Sequence, residues 1–309
     1  MEDLLCSENL NTDRCTAGRD ATMYTDSRVL ANLMLSEERN GVPPEDYFIS
    51  VQTDIKPYIR KIVNSWMQEV CDERQCEYQV FPYAVSIMDR FLCFCPLEKT
   101  QLQLAACACL LIASKIRECH ALCVEDLVYY SDHTFSPHLL KKMELLVICK
   151  IRWNLSTVTA SDFLDHILER VSWSKDHPLV RQHALTLINT CYTEYEFMMF
   201  KPSLIASGCI LAAYNGLLSS TNSRPTSNQL AELTALTQHA TSDVTNVSLL
   251  VEKIIQRETE TNSMSNQSTS NSNKSSQQHS SKHNTTSNNN NSHTKEKPDT
   301  PIDVQDVRF

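Results

Sequence analysis

The side chains best suited by type to do chemistry in this chain are its thiols, one carboxylate–imidazole pair and a few short motifs. Thirteen cysteines occur, yet none form C-x-x-C: Cys93 and Cys95, Cys107 and Cys109, and Cys119 and Cys123 have other spacings, and no histidine pair follows at zinc-finger distance. Cys107, Cys109, Cys149 and Cys209 sit inside strongly apolar helical runs, the pattern of buried thiols in a reducing compartment. His166 follows Asp162 by one helical turn, but no third and fourth ligand stand nearby, so no metal site is expected. No Cys, Ser or Thr stands in a recognisable nucleophile setting. The four glycines (Gly18, Gly41, Gly208, Gly216) cannot spell a phosphate loop, a dinucleotide fingerprint or a nucleophile elbow. Neither catalysis nor a cofactor is expected.

Binding motifs remain. Leu4-Leu5-Cys6-Ser7-Glu8 reads L-x-C-x-E; in an extended peptide Leu4, Cys6 and Glu8 share one side, apolar groups filling slots while the carboxylate meets backbone donors. Near the other end, in KPDTPIDVQDVRF, Thr300-Pro301 is a minimal proline-directed phosphorylation site. Two charges stand out within apolar helices. Lys115 ends the run LQLAACACLLIASK, where the helix dipole favours a cation, and Glu144 sits in MEL within reach of Lys141 one turn earlier.

The elements that must position these groups are helical. The chain has 309 residues, 41% hydrophobic and 21% charged, enough for one sizeable core or two modest ones. Its net charge of -9 disfavours nucleic acid and anionic membrane as direct partners. The longest apolar run, Leu104 to Ala113, is too short to span a bilayer, and the acidic N-terminus carries no long apolar stretch. After a short leading helix carrying Val29, Leu30, Leu33 and Met34 behind the caps Asp26 or Ser27, helical stripes come in two sets. The first holds Ile55 to Asp72, a stretch from Phe81 to Cys95, the all-round apolar Leu102 to Lys115, VEDLVYYS, and a helix starting at Ser136-Pro137 and carrying Leu140, Met143, Val147, Lys150 and Ile151. The second starts at the capping-box pattern Thr159 to Asp162, continues from Pro178 to Phe197, and repeats the all-round apolar helix in SLIASGCILAAYNG. Helices over Gln229 to Gln238 and Val244 to Ile255 complete it. From about Arg257 the composition collapses into Ser, Thr, Asn, Gln and His, and a disordered tail is expected. The predicted architecture is all-α: an N-terminal segment (1–53), two five-helix units (54–155 and 156–257) and a disordered tail (258–309).

The joint pattern of RKIVNSWMQEVCDE, VFPYAVSIMDRFLCFCPLEKTQLQLAACACLLIASKIRE and KKMELLVICKIRWNLSTVTASDFL resembles the cyclin box, and within cyclins the D type. The resemblance is strong from Thr25 to Glu196, fades through the second repeat and returns at both extreme ends. It implies two tandem cyclin folds and a regulatory subunit, not itself an enzyme, that activates a G1 cyclin-dependent kinase and promotes the G1/S transition. Lys115 and Glu144 match the charges that hold the kinase's movable helix and its neighbouring segment, and Ile148 matches a further contact. Ile59, Ile62 and Trp66, with Leu102 and Gln103, match the patch that docks Arg-x-Leu motifs of substrates and Cip/Kip-type inhibitors; Ile59 replaces the family's usual methionine. Leu4, Cys6 and Glu8 match the motif for retinoblastoma-type pocket proteins. Thr300-Pro301 matches a phosphodegron read by a ubiquitin ligase receptor, with Ile302 where the family has a second threonine. Residence in both nucleus and cytoplasm is expected. The same fold also serves transcription factors and scaffolds that activate no kinase, which is the alternative reading.

Overall fold

The computed structural model describes residues 20–219 and 226–272; the motifs at Leu4, Cys6 and Glu8 and at Thr300-Pro301 lie outside them. Among the described residues every regular element is a helix. The leading segment holds α1 (Ala21–Thr25), α2 (Ser27–Asn40) and α3 (Tyr47–Ser50). The single predicted leading helix is thus split, because Asp26 is an extended N-cap whose carboxylate accepts from the Arg28 N–H at 2.9 Å.

Five helices follow: α4 (Pro57–Glu73), α5 (Val80–Leu92), α6 (Leu102–Arg117), α7 (Val124–Tyr130) and α8 (Pro137–Lys150). Pro57 and Pro137 both occupy first-turn positions, where the missing N–H costs nothing. Every residue of α6 from Leu102 to Ser114 is buried, and α4, α5, α7 and α8 all pack on it. Ala105, Ala106, Ala108 and Ala113 have no exposed surface; their small side chains let the surrounding helices approach. Each large apolar side chain buried here contributes about 1.5–3 kcal/mol.

The second set repeats the plan: α9 (Ala160–Leu168), α10 (Leu179–Thr193), α11 (Pro202–Ser219), α12 (Ser227–Thr237) and α13 (Thr241–Ser272). The capping box predicted at Thr159 and Asp162 is present in full. Central α11 meets α9, α10, α12 and α13, and Gly208 is where α13 comes closest: a Cβ there would lie 2.3 Å from Val247 Cγ1. The last helix continues to Ser272, past the boundary that composition set at Arg257. The last residues of its inward stripe in the second core are Val251, Ile254 and Ile255.

Buried polar groups weld the two sets. Arg60 and Asp89 form a bidentate pair (2.8 and 2.7 Å), Tyr47 Oη donates to Asp89 at 2.8 Å, and Arg60 Nη1 donates to the Thr193 carbonyl at 3.2 Å. Burial, the largest single influence, would lower the Arg60 pKa, but the charge and hydrogen bonds of Asp89 together with Tyr47 hold the guanidinium above its ordinary value. Asn64 donates to the Tyr192 carbonyl at 3.0 Å, Arg117 pairs with Asp162 at 2.9 Å, and Lys61 pairs with Glu194. From α2, Glu37 accepts the Ser203 N–H (2.6 Å) and hydroxyl (2.7 Å), fixing the leading segment to the start of α11.

The thiol expectation holds for Cys107, Cys109 and Cys209, which are fully buried, and is corrected at Cys149, which is exposed. Two residues beyond the buried Val147, Cys149 lies on the opposite side of α8.

Candidate functional site

The end of α6 and the outer face of α8 make the first candidate surface. Lys115 lies in the last turn of α6, where the dipole favours a cation. Its Nζ meets Glu144 Oε1 of α8 at 2.5 Å, so Glu144 pairs with Lys115 across two helices and not with Lys141 on its own. The Lys115 side chain is 49% exposed and Glu144 16%, which leaves the pair accessible at the protein surface. Ile148, one turn beyond Glu144, is half-buried and packs on the first core.

Sequence reasoning missed the apolar surroundings of this pair. Leu140, Met143 and Val147 turn the inner face of α8 to the core, yet Leu139, Leu145 and Leu146 are 44, 56 and 38% exposed, and Ile116 next to Lys115 is 44% exposed. The available signal was that α8 is apolar on both faces, which a helix covered on one side only does not require. Exposed leucines flanking an ion pair are the composition of a protein-binding surface, apolar contact for affinity with charge for register.

The second candidate surface joins α4 to the start of α6. Ile59, Trp66 and Leu102 are buried and Ile62 is half-buried, so this patch is largely a packed seam with Ile62 as its most open member. Gln103 is 3% exposed, and neither its Oε1 nor its Nε2 has a partner among the described residues; the Trp66 Nε1 is likewise without one. An amide buried this way costs stability unless something else supplies its hydrogen bonds.

No other chemistry gathers. Among the described residues no group of three or more His, Cys, Asp or Glu is placed to hold a metal, and Asp162 is engaged by Arg117 and by its capping box. No described helix is long and apolar enough to cross a membrane.

Two five-helix units, each wrapped round an all-round apolar helix, define a recurring class of helical protein. The model of the cyclin N-terminal domain matches residues 29–156 and that of the cyclin C-terminal domain residues 158–288. The chain belongs to the cyclin family. Within it the similarity is to the D type: the chain is 46% identical over 218 residues to human G1/S-specific cyclin-D3, covering 70% of this chain and 74% of that protein. With G1/S-specific cyclin-D2 of Xenopus laevis it shares 44% over 216 residues, 70% of this chain and 73% of the relative. Among solved structures, a viral cyclin from herpesvirus saimiri superposes with a TM-score of 0.63 at 28% identity, covering 73% of this chain and 96% of the viral protein. The folds expected from the sequence resemblance are therefore observed.

Proposed function

We propose that this chain is a regulatory, non-catalytic subunit that binds and activates a G1 cyclin-dependent kinase, promoting the G1/S transition. The observation that carries the reading is the preformed Lys115–Glu144 pair set among the exposed apolar residues of α8. A kinase is active only when a strand lysine pairs with a glutamate of its movable helix. A surface that binds that helix better in its inward position shifts the population toward activity without supplying a catalytic group. Lys115 and Glu144 engage the helix and its neighbouring segment, and Ile148 adds apolar contact.

Three further surfaces complete the proposal. Ile59, Ile62, Trp66, Leu102 and Gln103 dock Arg-x-Leu motifs of substrates and Cip/Kip-type inhibitors, the unpartnered Gln103 amide supporting the reading. Leu4, Cys6 and Glu8 tether retinoblastoma-type pocket proteins, raising substrate concentration near the kinase. Phosphorylated Thr300 before Pro301 offers a dianion to a ubiquitin ligase receptor. The protein works in nucleus and cytoplasm.

The test is reconstitution. Purified chain is titrated into an inactive cyclin-dependent kinase, and phosphorylation of a pocket-protein fragment is followed. Activation is expected from the wild type, loss of activation from Lys115→Glu and Glu144→Lys with helical circular dichroism unchanged. Full activation by both variants would remove the site assignment, and no activation by the wild type with any such kinase would leave the scaffold alternative. Cys6→Ala is expected to weaken pocket-protein capture selectively, and Thr300→Ala to lengthen the half-life in cells.

A further inference from the structure

At the C-terminal end of α8 lies a groove of about 510 Å³ with no role in the surfaces above. Four cations line it from three parts of the chain: Arg39 at the end of α2, Arg90 in α5, and Lys150 and Arg152 where α8 stops. Glu38 is the one carboxylate among its lining residues, so the local balance is strongly positive on a chain whose net charge is -9.

Arg90 shows that the groove is a built feature. It is 7% exposed; its Nη2 donates to the Asn154 carbonyl at 2.9 Å, while its buried Nη1 has no partner among the described residues. Among the described residues no carboxylate pairs with it, and burial pulls its pKa below the ordinary arginine value. A buried guanidinium without a counter-charge is costly, and an anion in the adjoining groove would compensate it. Arg39, Lys150 and Arg152 are exposed and available to the same anion. The backbone adds to the arrangement: Arg152 and Trp153 take left-handed conformations (φ 56° and 59°), where α8 ends without the glycine such positions favour. That exit places Arg152 in the groove wall.

We propose that this groove binds a phosphorylated serine or threonine in a peptide segment of a partner protein. Guanidinium forks match phosphate oxygens in pairs, and several converging cations suit a compact dianion better than a single carboxylate. Phe94 and Pro44 form part of the wall beside the cations, and Phe94 is 48% exposed, which provides apolar contact for a residue flanking the phosphate, such as proline. A long nucleic acid or an anionic membrane would meet the negative field of the whole chain, whereas a single phosphate group feels chiefly the local cations.

The test uses the full chain without kinase. A fluorescein-labelled peptide carrying one phosphothreonine followed by proline in a Gly/Ser flank is titrated by fluorescence anisotropy at near-physiological salt. Removing the phosphate is expected to weaken binding by at least about tenfold, as are Arg39→Glu, Lys150→Glu and Arg152→Glu singly, each checked for fold by circular dichroism. Inorganic phosphate is expected to compete, and Lys142→Glu, on α8 outside the groove, to bind like the wild type. Equal binding of the two peptides, or indifference to the three groove substitutions, overturns the proposal. So does tighter groove-dependent binding of a short uridine oligonucleotide or of phosphoinositide vesicles. Lys115→Glu separates this inference from kinase activation: it is expected to retain phosphopeptide binding, and a chain that activates kinase but ignores the phosphopeptide refutes this groove alone.

Discussion

Replacing Gln103 by leucine separates folding from docking. Leucine has nearly the volume of glutamine and the same liking for a helix, so the change removes two polar atoms while leaving the packing of α6 close to intact. Both atoms are buried and unpartnered among the described residues, and a buried unsatisfied group costs about 1–3 kcal/mol. Gln103→Leu is therefore expected to stabilise the protein by about 1–3 kcal/mol, the lower end applying if the amide finds weak partners in solution. For a unit of this size each kcal/mol raises the melting temperature by about 2–4 °C. The same substitution removes the hydrogen bonds that an Arg-x-Leu peptide would draw from the amide. Affinity is expected to fall about tenfold to a hundredfold, the equivalent of roughly 1.4–3 kcal/mol. Urea unfolding and calorimetric titration with an Arg-x-Leu peptide read the two effects on the same samples. Gln103→Ala is the control for volume: it removes the same amide but leaves a void, and its gain in stability is expected to be smaller or reversed. A destabilised Gln103→Leu would refute the account of an unsatisfied amide. A stabilised variant that binds peptide as the wild type does would show that the seam between α4 and α6 is core alone.

Three other outcomes follow from the fold. Gly208→Ala forces a methyl against Val247 and is expected to cost about 1–3 kcal/mol in urea unfolding, with most of it recovered when Val247→Ala is added; an additive loss in the double variant would refute the close approach of α11 and α13. Asp89→Asn leaves the buried Arg60 without its counter-charge and is expected to cost about 3–5 kcal/mol by the same assay; a neutral result would mean that the Tyr47 and Thr193 contacts suffice. At His239, whose Nε2 lies 2.7 Å from Ser203 Oγ, burial lowers the pKa below 6.5, so the unfolded chain takes up the proton first and stability is lost as pH falls below 6.5. Glu37 beside it is shifted upward by burial, so its protonation in the folded state opposes that loss at lower pH, from above 4.5. Stability measured from pH 7 downward is expected to fall less steeply for His239→Gln than for the wild type just below 6.5; parallel curves would refute the assignment.

How much of this was legible in the sequence depends on the range of the interaction. Helices follow from local signals, so Ser136-Pro137 and the Thr159 capping box marked their boundaries within a residue or two. The two central helices were legible because a helix apolar on every side has no solvent face to offer. Pairings between helices were not legible from spacing alone. Lys141 stands one turn from Glu144 and was the local candidate, but Lys115 reaches Glu144 from another helix, a choice set by how α6 and α8 cross. The groove formed by Arg39, Arg90, Lys150 and Arg152 escaped for the same reason, since its cations converge only once α2 and α5 meet the end of α8. Cys149 shows the limit within one helix: its apolar neighbours suggested burial, and the rotation of α8 placed it outward. The polar continuation of α13 to Ser272 was hidden by composition, which reports what a segment can bury and not whether its backbone coils.

The free chain also bears on how an activator can work through so few charges. Lys115 and Glu144 already touch before any partner arrives, and α6, which carries the lysine, is buried from Leu102 to Ser114. Little conformational freedom remains for a partner to remove, so more of the contact energy is available to distinguish the inward from the outward position of a kinase helix. On the proposed reading, breaking the pair from either side does two things at once: it deletes a contact with the partner and releases the remaining side chain from its place. The reversed pair, Lys115→Glu with Glu144→Lys, separates these effects, because it restores the ion pair within the chain while inverting what the partner meets. It is expected to fold as the wild type does and still fail to activate the kinase. Recovery of activation by the reversed pair would mean that the two residues serve only to hold α6 against α8, and that the exposed leucines of α8 make the kinase contact without them.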